Sequence, residues 1–130
     1  MRARARRVLW APVALFLAFD VYLSSQSRLP ALGFSFSGLD KLLHAGYLFL
    51  TGLLAVRAAR FGEGWSRTRT AVRLVLFAIL WGCLDEIHQS FVPMRSVEFA
   101  DMLADTAGVV LAVAFGETIL RRTGLDRTIS

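Results

Sequence analysis

The sequence predicts an all-α fold: an integral membrane four-helix bundle with both termini cytoplasmic. Three observations predict it. Apolar residues make up 55% of the chain and the mean hydropathy is +0.53, above the level of an ordinary soluble domain. Four apolar runs, at approximately 8–24, 39–59, 71–91 and 97–120, follow one another with short polar segments between them; each approaches the roughly 20 residues that cross a bilayer. Twelve of the 15 basic residues fall in three blocks: Arg2, Arg4, Arg6 and Arg7; then Arg57, Arg60, Arg67, Arg69 and Arg73; then Arg121, Arg122 and Arg127. These blocks flank alternate ends of the runs, which is the positive-inside pattern of a cytoplasmic-membrane protein that crosses four times. Residues 1–130 read as a single domain. Nucleic acid is not among the expected partners, because that would call for one contiguous basic face in polar surroundings.

Residues 2–7, RARARR, form a basic flank, and 8–24 form the first span. A charged start and an apolar centre are also features of a signal peptide. Asp20 inside the apolar run, and the lack of an A-x-A site after it, favour a retained helix; Arg6-Arg7 matches a twin-arginine signal only in the pair itself. Pro12 falls one turn into this span, where a membrane helix tolerates it. Residues 25–38 are the longest loop, broken by Pro30, Gly33 and Gly38. Its apolar Leu29, Leu32, Phe34 and Phe36 predict a loop lying on the membrane surface or over the bundle. The second span opens with Asp40, Lys41 and His44; Lys41, His44 and Tyr47 are three apart and share a face. Residues 60–70 are a short basic turn with Gly62, Gly64 and an interfacial Trp65. The third span ends in a turn around Pro93, and Thr123-Gly124 ends the fourth. Trp10, Trp65 and Trp81 read as anchors or packing. Cys83 has no partner cysteine for a disulfide or a zinc site and is expected to be a small buried hydrophobe. Glu117 and Arg121, four apart, are expected to form an inner-edge ion pair.

The stretch 84–108, LDEIHQSFVPMRSVEFADMLADTAG, interrupts this apolar sequence with dense charge. Ionisable groups at membrane depth are expensive and mark functional sites. The acids sort opposite to the arginine blocks. Asp20, Asp40, Asp85, Glu86, Glu98, Asp101 and Asp105 fall on the outer side, with only Arg28, Lys41 and Arg95 as bases; Glu63, Glu117 and Asp126 are inner. At about 1.5 Å per residue, Asp20, His44, Asp85 and Asp105 lie within one to two turns of the outer ends of their spans. Four helices thus contribute polar groups to one layer. Asp85 shares a face with His88 and Gln89, and Glu86 with Gln89. Asp101, Asp105 and Gly108 line the next helix, where Gly108 permits close helix approach. Arg95 is expected to contact at least two of Asp85, Glu86, Asp101 and Asp105.

Three readings of this layer follow. Asp85, Glu86, Asp101 and Asp105, with His44 nearby, offer hard oxygen ligands for a divalent cation such as magnesium, calcium or manganese. Alternatively, His44, Asp85, Glu86, Arg95 and Asp101 would perform acid–base chemistry on a lipid-linked substrate, as a hydrolase or transferase. In the third reading Arg95 and Lys41 neutralise the acids in a structural or partner-binding network. Seven acids against three bases leave the outer side short of positive charge, so water, a cation or the cationic part of a ligand has to compensate. There is no G-x-S-x-G nucleophile motif and no Gly-rich phosphate loop.

The segments SSQS at 24–27, DKLLHAGY at 40–47, DEIHQSFVPMRS at 85–96 and D-x-x-x-D-x-x-G at 101–108 resemble the VanZ-like family of small membrane proteins, in order and in spacing. The resemblance runs from about Ser24 to Gly108. It places Gln26, Asp40, Lys41, His44, Tyr47, Asp85, Glu86, Gln89, Arg95, Asp101 and Gly108 at motif positions. Gln26, Asp40, Lys41, Tyr47, Gln89 and Gly108 are accordingly expected as binding residues, together with Asp105 of the same acidic layer. The family usually carries Asn where this chain has Asp105, which adds a negative charge. The namesake is associated with low-level resistance to the glycopeptide teicoplanin. The resemblance therefore implies a role at the cell envelope near lipid-linked precursors or (lipo)glycopeptides, with the lipid bilayer and a headgroup or glycopeptide ligand as partners.

Overall fold

In the computed structural model, residues 2–27 and 38–126 are described. They form four helices: α1 (Arg2–Ser24), α2 (Leu39–Arg57), α3 (Arg67–Gln89) and α4 (Phe99–Arg122). A π-helical turn, Ala58–Gly62, continues α2. The expected loop reading at 28–37 lies outside the described residues. Successive helices run antiparallel, so the described arginines of the three blocks gather at one end with Glu63, Glu117 and Asp126, and the other described acids gather at the opposite end.

Element boundaries follow local chemistry. Helix α1 starts at Arg2, before the apolar run, because alanine and arginine are strong helix formers; Pro12 therefore falls in its interior. Ser66 caps α3, accepting a hydrogen bond from the Arg69 N–H at 3.2 Å, so α3 begins before its apolar stretch. Past its end, Arg95 N–H donates to the Val92 carbonyl at 3.2 Å across a turn containing Pro93. Met94 has φ +66 at the third position of that turn, where glycine is the usual residue.

Helices α1, α4 and the continuous α2 segment to Gly62 are long and apolar enough to cross a membrane. Helix α3 has the length, 23 residues, but carries arginines in its first turns and Asp85 and Glu86 near its last. The packing is that of a membrane protein. The buried faces of α2 and α4 are rich in small residues, and among the described residues the largest fully buried side chain is Val56. Large apolar side chains such as Leu15, Phe19, Leu76, Leu80 and Phe115 point outward, where lipid is as good a solvent as a protein core.

Helices α2 and α4 make the closest pair. Gly108, Ala112 and Gly116 repeat every four residues along the buried face of α4. A Cβ on Gly108 would run into the Ala45 carbonyl oxygen and approach the Phe49 nitrogen to 2.9 Å. One on Gly52 would meet the Ala112 Cβ at 2.7 Å. This is backbone-to-backbone contact of the small-xxx-small type. Gly108 behaves as the sequence suggests, and Ala112, Gly116 and Gly52 extend the same seam. Cys83, expected to be buried, is exposed on the outward side of α3. Gly82 is the residue that packs directly on Met102 of α4, and Cys83 beside it reaches Met102 Sδ only with its Sγ, at 3.3 Å.

Candidate functional site

The acidic ends of the helices are joined by polar contacts in one layer. Lys41, in the first turn of α2, places Nζ 2.6 Å from Asp40, 2.5 Å from Glu98 and 2.5 Å from Asp101. One turn on, His44 Nδ1 lies 3.0 Å from Asp105 Oδ1, and Nε2 lies 3.8 Å from Asp101 Oδ2. The spacing that put Lys41 and His44 on one face of α2 thus matches the four-residue spacing of Asp101 and Asp105 on α4. Asp105 is only 2% exposed, so its carboxylate depends on His44 for a partner. Lys41 beside Glu98, which lies just before α4, holds that carboxyl below the ordinary carboxylate range.

Helix α3 joins the layer through hydrogen bonds of another kind. Asp85 accepts from the Ser24 hydroxyl of α1 and from Gln89 Nε2 at 2.7 Å. Glu86 is buried and accepts from the backbone N–H of Glu98 at 2.7 Å. It thereby satisfies a donor at the start of α4 that the helix itself leaves open. Asp20 accepts from Trp81 Nε1 at 2.8 Å, and the Ser25 hydroxyl lies 2.9 Å from His88 Nε2. Every helix is therefore tied to at least one other through the layer. Four helices supply polar groups at one depth, as the spacing implies.

Two expectations need correction. Arg95 is half-buried but makes no ion pair with Asp85, Glu86, Asp101 or Asp105 among the described residues, and its Nε is buried without a partner. The neutralising cation is Lys41, whose helix packs directly on α4. Nor do Asp85, Glu86, Asp101 and Asp105 converge as a metal set, since each is directed at a different neighbour. The carboxylates whose oxygens gather within 4.8 Å are Asp40, Glu98 and Asp101. Lys41 Nζ sits among them, so an ammonium holds the position a cation would take.

The remaining expected residues separate. Gln89 is buried against Asp85. Tyr47 donates its hydroxyl to the Phe16 carbonyl at 2.5 Å and stacks on the Phe16 ring, which ties α2 to α1 below the layer. Gln26 Nε2 donates to the Tyr22 carbonyl at 3.1 Å and stays at the end of its own helix. Ser24, Glu98 and Trp81 belong to the layer although sequence reasoning did not place them among its functional residues. Ser24 opens the SSQS segment and Glu98 lies within the charged stretch, so a signal existed for both. Trp81 carried none, since a membrane tryptophan is ordinarily interfacial.

Below the layer, an apolar groove of about 440 Å³ runs along α1, lined among others by Val13, Leu17, Leu48, Gly52 and Phe77. Leu17 and Leu48 lie about one helical turn from Asp20 and His44, so the groove ends just under the polar groups. At the arginine-rich end, Glu117 faces Arg60, Arg67 and Arg121 at 3.1, 3.0 and 3.0 Å. The expected Glu117–Arg121 pair is present as part of this larger cluster.

A family model described as VanZ/LLP1 matches residues 4–120. Neither a comparison with curated proteins nor one with solved structures gives a match.

Proposed function

This chain belongs to the VanZ/LLP1 family of membrane proteins, and on that premise we propose that it binds the hydroxyl- or amine-bearing headgroup of a lipid-linked envelope molecule or lipoglycopeptide at its acidic end. The observation that carries the reading is the apolar groove ending one turn beneath a layer of carboxylates. An alkyl chain in the groove brings its headgroup up to Asp20, His44 and Asp105. Carboxylates accept hydrogen bonds and attract cations, so they suit sugar hydroxyls and amines. The binding group is the face of Lys41, His44, Asp101 and Asp105, with Asp40 and Glu98 at its exposed rim. Asp85, Glu86 and Gln89 support it from α3. With the charged groups at the outer surface of the cytoplasmic membrane, as the arginine distribution favours, the ligand is one of the outer leaflet.

The hydrolase or transferase alternative fits this geometry less well. A phosphate at the layer would meet excess negative charge, because Lys41 already serves three carboxylates. His44 Nδ1 is taken up by Asp105 and the Ser24 hydroxyl by Asp85, so no nucleophile–base pair is assembled among the described residues.

Teicoplanin and a polyprenyl-linked saccharide, each added to the protein in nanodiscs and followed by native mass spectrometry, test the proposal. Retention of at least one ligand is expected. It should fall about tenfold in Asp101→Asn, the loss of one charge-assisted hydrogen bond, and in Leu17→Trp, which fills the groove. Retention that is absent, or unchanged in both variants, would sink the binding reading. Steady phosphate release from a lipid-linked substrate, abolished by His44→Ala, would replace it with the hydrolase.

A further inference from the structure

The arginine-rich end holds a second pocket, of about 400 Å³, lined by Arg60, Arg67, Thr68, Thr70, Glu117 and Thr118 among others. It lies at the opposite end of the bundle from the acidic layer, and its chemistry is opposite in sign. Arg60 and Arg67 of the pocket wall and Arg121 beside it surround Glu117; Asp126 also lies 3.9 Å from Arg121, so the two carboxylates leave one of the three guanidinium charges unbalanced. Arg60 is fully engaged: its Nε and Nη2 donate to Glu117 and its Nη1 to the Trp65 carbonyl. Arg67 is not. It touches Glu117 through Nε alone, and its side chain is 79% exposed.

Two further groups point the same way. The pocket wall includes the first turn of α3, where the N–H groups of Arg67 and Thr68 have no acceptor within the helix and the helix dipole favours an anion. Thr70 is 2% exposed, lines the pocket, and its Oγ1 is buried without a hydrogen-bond partner. A threonine in a helix ordinarily satisfies its hydroxyl on the preceding turn; this one lines the pocket with its hydroxyl unpaired. An unpartnered buried hydroxyl is costly unless something meets it.

We propose that this pocket binds a phosphate group, either a free phosphate anion or the headgroup of an anionic phospholipid. The excess guanidinium charge, the open N–H groups of α3 and the Thr70 hydroxyl are together a phosphate-recognising set. The site is independent of the acidic-end ligand and stands or falls separately from it.

The test uses the full chain in nanodiscs or detergent with two probes. Inorganic phosphate is compared with chloride at equal ionic strength by thermal unfolding, and phosphatidic acid is compared with phosphatidylcholine by native mass spectrometry. At least one phosphate probe should bind, raising the melting temperature by a few degrees at saturation. An effect of inorganic phosphate identifies a free anion; an effect of phosphatidic acid alone identifies the lipid headgroup. Apparent affinity should fall about tenfold in Arg67→Gln and in Thr70→Val, each losing one hydrogen bond to the anion. Arg122→Gln, the same charge change at an exposed arginine outside the pocket, should leave it unchanged. Without ligand, Arg67→Gln removes only a largely exposed side chain and keeps the fold. The proposal is overturned if neither probe binds, if Arg67→Gln binds like wild type, or if Arg122→Gln loses as much as Arg67→Gln, which would mean only diffuse attraction to a basic surface.

Discussion

Lys41 sits 2.5 Å from Glu98 and Asp101 and 2.6 Å from Asp40, while Arg95, the arginine nearest the acids in sequence, pairs with none of the four expected carboxylates. Lys41→Met should therefore lower stability in detergent by about 1–3 kcal/mol, because it leaves the 11%-exposed Asp101 side chain without its cation. Arg95→Met should not lower it, because it removes a buried guanidinium nitrogen that has no partner. Thermal unfolding of the two variants side by side checks this, and the reverse order would restore Arg95 to the layer. Acid gives a second handle on the same contact. The Glu98 carboxyl is held below its ordinary range by Lys41, so its contribution is present above about pH 4.3, the ordinary glutamate value, and is lost as pH falls below it through the depressed value. Wild type should lose melting temperature over that interval, and Glu98→Gln should lose less. Identical pH profiles would show that the contact is too exposed to matter.

Among the elements, the α2–α4 seam is where one atom decides most. Gly108→Ala puts a methyl against the Ala45 carbonyl, a clash with backbone that no rotamer relieves. The expected cost is at least about 1–3 kcal/mol, the usual cost of overpacking. Gly46 is a matched control on the facing helix, where an added methyl would have nothing within 4 Å; Gly46→Ala should be neutral or stabilising by up to about 1 kcal/mol. Equal effects from the two would mean that α2 and α4 pack less closely than Gly108 indicates. The turn between α3 and α4 carries a smaller reserve. Met94 holds φ +66, which costs most non-glycine residues of order 1 kcal/mol. Met94→Gly should accordingly raise the melting temperature slightly, and a fall would mean that the Met94 side chain packs where its exposure suggests it does not.

For the molecule as a whole, charge segregates along the bundle: among the described residues the arginines of the three blocks sit at one end and the acidic layer at the other. The orientation expected from this places residue 96 outside and residue 125 in the cytoplasm. In a Cys83→Ala background, a membrane-impermeant maleimide added to intact cells should label Ser96→Cys and leave Leu125→Cys unlabelled until the cells are permeabilised. Labelling of Leu125→Cys in intact cells would invert the bundle and move the acidic layer to the other leaflet.

The sequence by itself determined the all-α class, the four helices and the shared depth of the polar groups. Hydrophobic run length, the 3.6-residue period and fixed rise per residue are local properties that a chain carries before it folds. The same local rules put His44, Asp101 and Asp105 on the faces where they meet. They were silent on partners. Whether Lys41 or Arg95 reaches Asp101 depends on how closely α2 approaches α4, and that distance is set by Gly108, Gly52 and Ala112 on two helices far apart in sequence. Only the tertiary structure placed the Lys41 ammonium among Asp40, Glu98 and Asp101 and turned Asp85, Glu86 and Asp105 toward other neighbours. Likewise only packing brought Ser24 to Asp85, Trp81 to Asp20, and three arginines around Glu117, because pairing between helices is fixed by their relative rotation, which no single helix encodes.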